Sequence, residues 1–413
     1  MFLNNHSYYS LRYGTIPEEQ LLEMAQKHGC TALPLTDINN TSGCLNFIRK
    51  APHYNIKPIV GIDFRNNAQQ CYVGLAKNNN GFLQLNTLLS EHLHKELPFP
   101  ETAPALDDVA IIYPFEKALA LENHTFSANE YIGIRLDEIN KLAFSKLQQH
   151  KNKLVVLQTV SFKNKRDFNT HRLLRAIDNN VLLSKLPVEQ QGSPSQQMLP
   201  LKTIEEAFKD YPHIIADTKE LLDACHIHFD FSKNRKNQNL KTIFGSSEAD
   251  YKKLQSLCEE GLPKRYTKID DTIRRRLKKE LNLIRQQDFV SFFLINWKII
   301  KYAQSKGYYY VGRGSGANSI VAYLLEITDV DPIELDLYFE RFMNLYRSSP
   351  PDFDIDFSTW DREDVTRFIF ETFGNNAQAA LLGTYVRFKH SGAVRELGKV
   401  FGLPKHEIDK LSS

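Results

Sequence analysis

Tyr308-Tyr309-Tyr310-Val311-Gly312-Arg313-Gly314-Ser315-Gly316-Ala317-Asn318-Ser319, followed by Pro351-Asp352-Phe353-Asp354-Ile355-Asp356-Phe357, decides how this chain is read. The first stretch predicts a short aromatic strand entering a glycine turn that opens a helix over Ile320 to Ile327. Such a turn presents backbone N–H groups and the positive end of a helix dipole, which suits a polyphosphate. The second predicts a strand with Asp352, Asp354 and Asp356 on one face and Phe353, Ile355 and Phe357 on the other. A row of carboxylates repels itself unless divalent cations bridge it. A triphosphate cradle followed by an acidic, magnesium-binding strand points to nucleotidyl transfer. The Gly-Lys-Ser/Thr ending of a P-loop is missing, which argues against ATPase chemistry.

With Phe339-Glu340-Arg341-Phe342-Met343-Asn344 between them, these segments resemble the palm of the C-family replicative polymerases, the bacterial DNA polymerase III alpha subunits. The resemblance runs almost continuously from Gly312 through Ile327-Thr328-Asp329-Val330-Asp331-Pro332 to Phe357. It implies two-metal addition of deoxynucleotides to a primer 3′-hydroxyl, with two Mg²⁺ ions in the complete palm. Strand alternation leaves open which two of the three aspartates are catalytic. The resemblance selects Asp352 and Asp354, with Asp356 a further carboxylate near the metals. It also implies nucleotide contacts from Gly314, Ser315, Arg341 and Arg347. Ion pairing of Arg341 with Glu340 or Asp336 is the structural alternative, and Arg313 is left open between phosphate contact and packing.

Composition is that of an ordinary globular protein: 42% hydrophobic, 24% charged, net charge +3. A charge so small does not by itself announce a nucleic-acid binder. The five cysteines (Cys30, Cys44, Cys71, Cys225, Cys258) form no Cys-x-x-Cys pair, which argues against a zinc site or a disulfide framework and fits a reducing cytoplasm. No apolar run approaches the ~20 residues of a membrane span, and Met-Phe-Leu-Asn-Asn-His is unlike a signal peptide. The expectation is a cytoplasmic protein with no membrane partner.

The first half alternates strands (Thr31–Leu35, Lys57–Phe64, Tyr72–Ala76, Val109–Tyr113, Leu154–Thr159) with helices (Pro17–His28, Gly43–Arg49, Gly81–His92, Asp167–Asp178, Pro212–Ala224). This predicts a parallel α/β sheet or barrel. The polar stretch Ser232 to Asn239 reads as a boundary. Helices follow at Ser247–Glu260, Asp271–Gln287, Phe289–Lys306, Asp361–Phe373 and Tyr385–Phe401, the last stopping at Gly402. Residues 1–230 resemble the polymerase-and-histidinol-phosphatase (PHP) domain that precedes the palm in this family, on His6-Ser-Tyr-Tyr-Ser10, Leu35-Thr36-Asp37, Ile56-Lys57-Pro58-Ile59-Val60-Gly61 and Leu75-Ala76-Lys77-Asn78-Asn79. The implied fold is α/β: a PHP-type distorted (β/α)7 barrel, then over 231–383 part of a polymerase β-like nucleotidyltransferase palm. Residues 384–413 resemble a helical start of the thumb, where Arg387, Lys389 and Arg395 would meet duplex phosphates. The resemblance further implies primed template DNA, deoxynucleoside triphosphates and replisome partners such as the sliding clamp, the last through regions after Ser413.

Active PHP domains hold metals with His, Asp, Glu and Cys. Against that pattern the ligand positions read Asn4, His6, Asp37, Ile38, Asp63, Cys71, Thr159 and Ser161, so most are substituted. A barrel so depleted is expected to hold no catalytic metal cluster. The alternatives are a PHP-type phosphoesterase or 3′–5′ proofreading exonuclease, and a non-catalytic scaffold. Cys225-His226-Ile227-His228 reads as a strand with two solvated imidazoles, metal chelation being the alternative. The run Arg274, Arg275, Arg276, Lys278, Lys279 reads as a solvated helix face, with DNA contact the alternative.

Overall fold

The computed structural model describes residues 1–121, 124–232, 240–344, 352–374 and 379–412. The chain divides into two compact units, residues 1–235 with 386–413, and residues 236–385. Most of the Ser232–Asn239 boundary stretch, and Arg347, lie outside the described residues.

The first unit holds strands β1 (Asn4–Asn5), β2 (Ala32–Leu35), β3 (Lys57–Asn66), β4 (Gln69–Ala76), β5 (Val109–Pro114), β6 (Glu130–Ile134), β7 (Leu154–Val156) and β8 (Thr159–Val160). β2 to β7 form one sheet in sequence order, and β1 pairs with β8. Alternate side chains enter different cores: Val60, Ile62 and Phe64 of β3 lie in the larger one. Ile59 of β3, Val73 and Leu75 of β4 and Ala110 and Ile112 of β5 pack with Leu221 and Leu222 of the helix Pro212–Ala224. Burial on both faces explains the near-continuous apolar runs. Thr36 N–H donates to Asn5 O (2.9 Å), tying the β1/β8 pair to the β2 edge, while β8 follows directly on β7 at the opposite edge. The sheet is therefore curled.

Three expectations need correction here. The sheet is mixed, because β4 runs antiparallel to both β3 and β5. Only Asn67 and Ala68 join β3 to β4, too few for a parallel crossover, and Asn67 takes the left-handed conformation (φ 55°) that asparagine tolerates. Cys225 to His228 form no strand: backbone N–H groups of His226 and His228 donate to Lys77 O and Asn79 Oδ1, and both imidazoles are exposed. The last long helix spans His390–Val400, so Arg387 and Lys389 precede it. Its stop is as read: Gly402 sits at φ +78°, with its N–H on Lys399 O and that of Leu403 on Gly398 O, a helix-ending turn that favours glycine.

The second unit packs helices Ser247–Arg265, Asp271–Gln286 and Val290–Ser305 around Leu254, Cys258, Phe293, Leu294 and Ile320. Ser246 and Asp270 cap the first two, accepting from Ala249 and Ile273 N–H. Its strands, β9 (Tyr310–Arg313) and β10 (Asp354–Phe357), pair antiparallel with Asp354 opposite Arg313 and Asp356 opposite Val311.

Candidate active site

The β9/β10 pair brings the glycine turn against the acidic strand. Gly314 has φ +77°, and a Cβ there would stand 2.6 Å from Asp354 Oδ2. Glycine is required both for the conformation and for the approach. At Gly316 a Cβ would meet the Phe353 ring at 2.4 Å. Phe353 packs on Phe292, Phe293 and Phe342, which holds the acidic segment from below. The turn is a tight 3-10 segment (Gly314–Asn318), and the helix it opens runs only Ile320–Leu324, shorter than the sequence predicts. Ser319 Oγ caps it by accepting from Ala322 N–H.

The strand begins at Asp354, so Asp352 precedes it instead of extending the row. Asp354 and Asp356 share one face, as alternation requires. Both meet Arg313, whose Nη1 lies 3.1 Å from Asp354 Oδ2 and Nε 2.6 Å from Asp356 Oδ2. Arg313 is therefore a counter-ion to both carboxylates here. Gly314 is exposed and Ser315 half-buried. Arg341 is exposed and makes no ion pair among the described residues; Glu340 pairs with Lys279 instead. Within the basic run, Arg276 is turned inward onto the buried Glu280 (2.6 Å), so the solvated-face reading fails at that residue. Arg395, in the first unit, pairs with Asp409 at 3.0 Å.

The PHP ligand positions converge in the first unit. Asp63 is fully buried and accepts from Asn4 Nδ2 (3.2 Å), Arg65 Nε (3.0 Å) and Nη2 (2.7 Å), and Gln70 Nε2 (2.9 Å). His6 Nε2 lies 2.9 Å from Asp63 and its Nδ1 2.8 Å from Ser161 Oγ, while Thr159 Oγ1 accepts from Asn4. Burial alone would raise the Asp63 pKa, but Arg65 and His6 outweigh it and hold this carboxyl well below the usual range. Burial holds the His6 imidazole below its ordinary value despite the pull of Asp63. Cys71 is buried, and it is where the register slips: Phe64 faces Tyr72 while Arg65 faces Gln70, so Cys71 has no partner across β3. This bulge lets Arg65 and Gln70 both reach Asp63. Ile38 lines a cavity of about 480 Å³ with Tyr13, Asn39, Arg65 and Arg175, so solvent approaches the guanidinium side of the cluster.

Asp37 stands slightly apart. It accepts from Ser7 N–H (2.6 Å), Ser7 Oγ (2.7 Å) and Ser10 Oγ (2.6 Å), neutral donors all. Burial pushes its pKa up to about 6, against those donors. A raised carboxyl pKa means the folded state keeps a proton that the unfolded chain releases. This group's contribution is therefore full below about pH 4 and declines as pH rises through 6, by roughly 3 kcal/mol at most. Asp37→Asn should remove that decline. In urea unfolding between pH 4 and 7, the variant's stability should rise more, or fall less, with pH than that of the wild type; parallel curves would refute it. The depressed His6 works the other way, its contribution being lost as pH falls below about 6.5.

Sequence reasoning missed Arg65, Gln70 and Glu280 altogether, and the roles of Ser7, Ser10 and Arg276, which it read only as parts of longer stretches. Arg65 left a signal, because a charged residue two positions after Asp63 shares its strand face. Glu280 left none, since an acidic residue on a helix is usually solvated.

Residues 3–160 match the PHP domain, and residues 252–413 match the bacterial DNA polymerase III alpha NTPase domain. The chain is similar to the error-prone DNA polymerase of Symbiobacterium thermophilum, 30% identical over 458 residues, covering 99% of this chain and 42% of that protein. It is similar to DNA polymerase III subunit alpha of Bacillus subtilis, 30% identical over 442 residues, covering 99% and 39%. The same subunit of Ureaplasma parvum is 32% identical over 421 residues, covering 99% and 40%. The chain thus spans about two fifths of the length of these relatives.

Proposed function

The chain corresponds to the N-terminal portion of the bacterial DNA polymerase III alpha subunits, a PHP domain followed by that family's NTPase domain, and from that premise we propose that it supplies part of the active site of a DNA-directed DNA polymerase. The observation that carries this reading is the pairing of β9 with β10, which sets an exposed glycine turn beside two carboxylates on one strand face. We read the curled sheet as a PHP-type distorted (β/α)7 barrel over 1–230, residues 231–383 as the first part of a polymerase β-like palm, and 384–413 as the start of the thumb.

In this reading Asp352 and Asp354 are the catalytic carboxylates and Asp356 supports them. Carboxylate oxygens are the donors Mg²⁺ prefers, and Asp354 and Asp356 are both partly exposed, which fits a hard divalent ion. Such ions, when bound, stabilise the attacking and leaving oxygens of in-line phosphoryl transfer. Gly314 lets the backbone approach the triphosphate, Ser315 donates to it through N–H and hydroxyl, and Arg341 and Arg347 supply bidentate charge. Arg313 would release the carboxylates as the site fills. Primed template DNA, deoxynucleoside triphosphates and a sliding clamp are the partners, in the cytoplasm. The barrel is structural and takes no catalytic metal, because Arg65 already meets the charge of Asp63 and Ile38, Thr159 and Ser161 replace ligands.

Gly314→Ala tests the site. The added methyl forces a left-handed alanine, costing about 1 kcal/mol, and collides with Asp354. In the complete polymerase, primer extension should fall roughly 10²-fold, the scale of a small misplacement at a reacting centre, with the unfolding midpoint little changed. Extension at the wild-type rate would contradict the proposal. Since it spans about two fifths of the length of these relatives, this chain by itself is expected to incorporate no nucleotide in the same primer-extension assay.

A further inference from the structure

The helix Asp271–Gln286 carries an ion pair whose other contacts lie on the glycine turn and the helix it opens (Asn318, Ser319, Val321) and on the stretch just before Arg341 (Leu337, Phe339). Glu280 is fully buried; Arg276 Nε donates to its Oε1 at 2.6 Å. Its Oε2 accepts from Ser319 Oγ (2.8 Å) and lies 3.4 Å from Val321 N. Ser319 in turn caps Ile320–Leu324, and Asn318 Nδ2 donates to Ser315 O (2.8 Å) inside the glycine turn. Arg276 Nη2 donates to Asn318 O (3.0 Å) and to Leu337 O (2.8 Å), just before Phe339-Glu340-Arg341, with the guanidinium also over the Phe339 ring. Lys279, on the same helix, pairs with Glu340. Burial raises the Glu280 pKa, with Arg276 opposing.

A carboxylate placed so deeply is costly unless its bonds are used. Here they join three segments distant in sequence, and the planar guanidinium fork reaches two carbonyls and a carboxylate at once. We propose that Arg276 and Glu280 are positioning residues, fixing the distance and orientation of the glycine turn (Gly314–Asn318) relative to Arg341. Neither touches the nucleotide. The inference rests on the polymerase reading for its consequence, although not for its geometry.

Amide hydrogen exchange on this chain reads the geometry directly. In Glu280→Gln, which loses the charge but keeps the volume, amides from Ser315 to Ala322 should exchange roughly tenfold faster. Those in the core of the helix Ser247–Arg265 should be unchanged. Arg276→Lys keeps the charge and loses the fork, so it should fold normally and still loosen the turn. In the complete polymerase both variants should raise the KM for deoxynucleotide more than they lower kcat, with kcat/KM down about 10²-fold. Unchanged exchange across Ser315 to Ala322 in both variants would overturn the inference. Faster exchange with an unaltered nucleotide KM would leave the positioning intact and overturn the triphosphate reading of the turn.

Discussion

Asp354→Asn in the complete polymerase should reduce primer extension by about 10³-fold if, as proposed, this carboxylate holds a catalytic metal, since its loss would remove several kcal/mol of transition-state stabilisation. The fold should survive. Asp354 is partly exposed, its ion pair with Arg313 is at the surface, and Arg313 keeps Asp356 when Asp354 is neutralised. Asp352→Asn should be as damaging, and Asp356→Asn milder. Single-turnover incorporation with saturating Mg²⁺, read beside thermal unfolding, separates chemistry from folding. If Asp356→Asn matches the other two, the assignment of the catalytic pair is wrong. Mg²⁺ titration adds a second reading, since Arg313→Ala should lower the Mg²⁺ concentration needed by removing the competing cation.

Arg65→Ala should strongly destabilise the first unit, costing roughly 3–5 kcal/mol. It leaves Asp63 buried at 0% exposure with its charge unmatched, and removes the two guanidinium bonds at 3.0 and 2.7 Å. The expected fall in unfolding midpoint is on the order of 10 °C. Asp63→Asn combined with Arg65→Met should recover part of the loss, because a buried pair is worth little against apolar packing while a broken one is expensive. The same measurement bears on the barrel's chemistry. With Arg65 in place, a chelator should leave the midpoint unmoved and purified protein should carry less than stoichiometric Zn²⁺ or Mn²⁺. Two or more bound ions together with metal-dependent 3′–5′ trimming of DNA would show that the first unit is catalytic.

The long helices and most strands were legible in the residues because their signals are local, whereas the short helices Phe115–Ala120, Leu201–Ala207 and Lys405–Ser412 were not read. Asn78, Asn164, Ser246, Asp270, Ser319 and Ser358 each accept a backbone N–H at a helix start. Gly402 ends the helix His390–Val400, and apolar runs mark strands buried on both faces. Spacing and residue type led to the expectation that the glycine turn and the acidic strand lie together, and the β9/β10 pairing does bring them side by side. What tertiary structure alone decided depends on partners far away in the chain. β1 is two residues long and is a strand only because Thr159 and Val160 lie beside it. The direction of β4 follows from a two-residue turn, and the reach of Arg65 from a register slip at Cys71. Glu280 is buried because Ser319, 39 residues on, folds back onto its helix. Local periodicity states which face of an element is buried, but not what buries it. Where a charge ends up with a partner, the burial energy of the whole unit selects that partner, and no short stretch of sequence contains it.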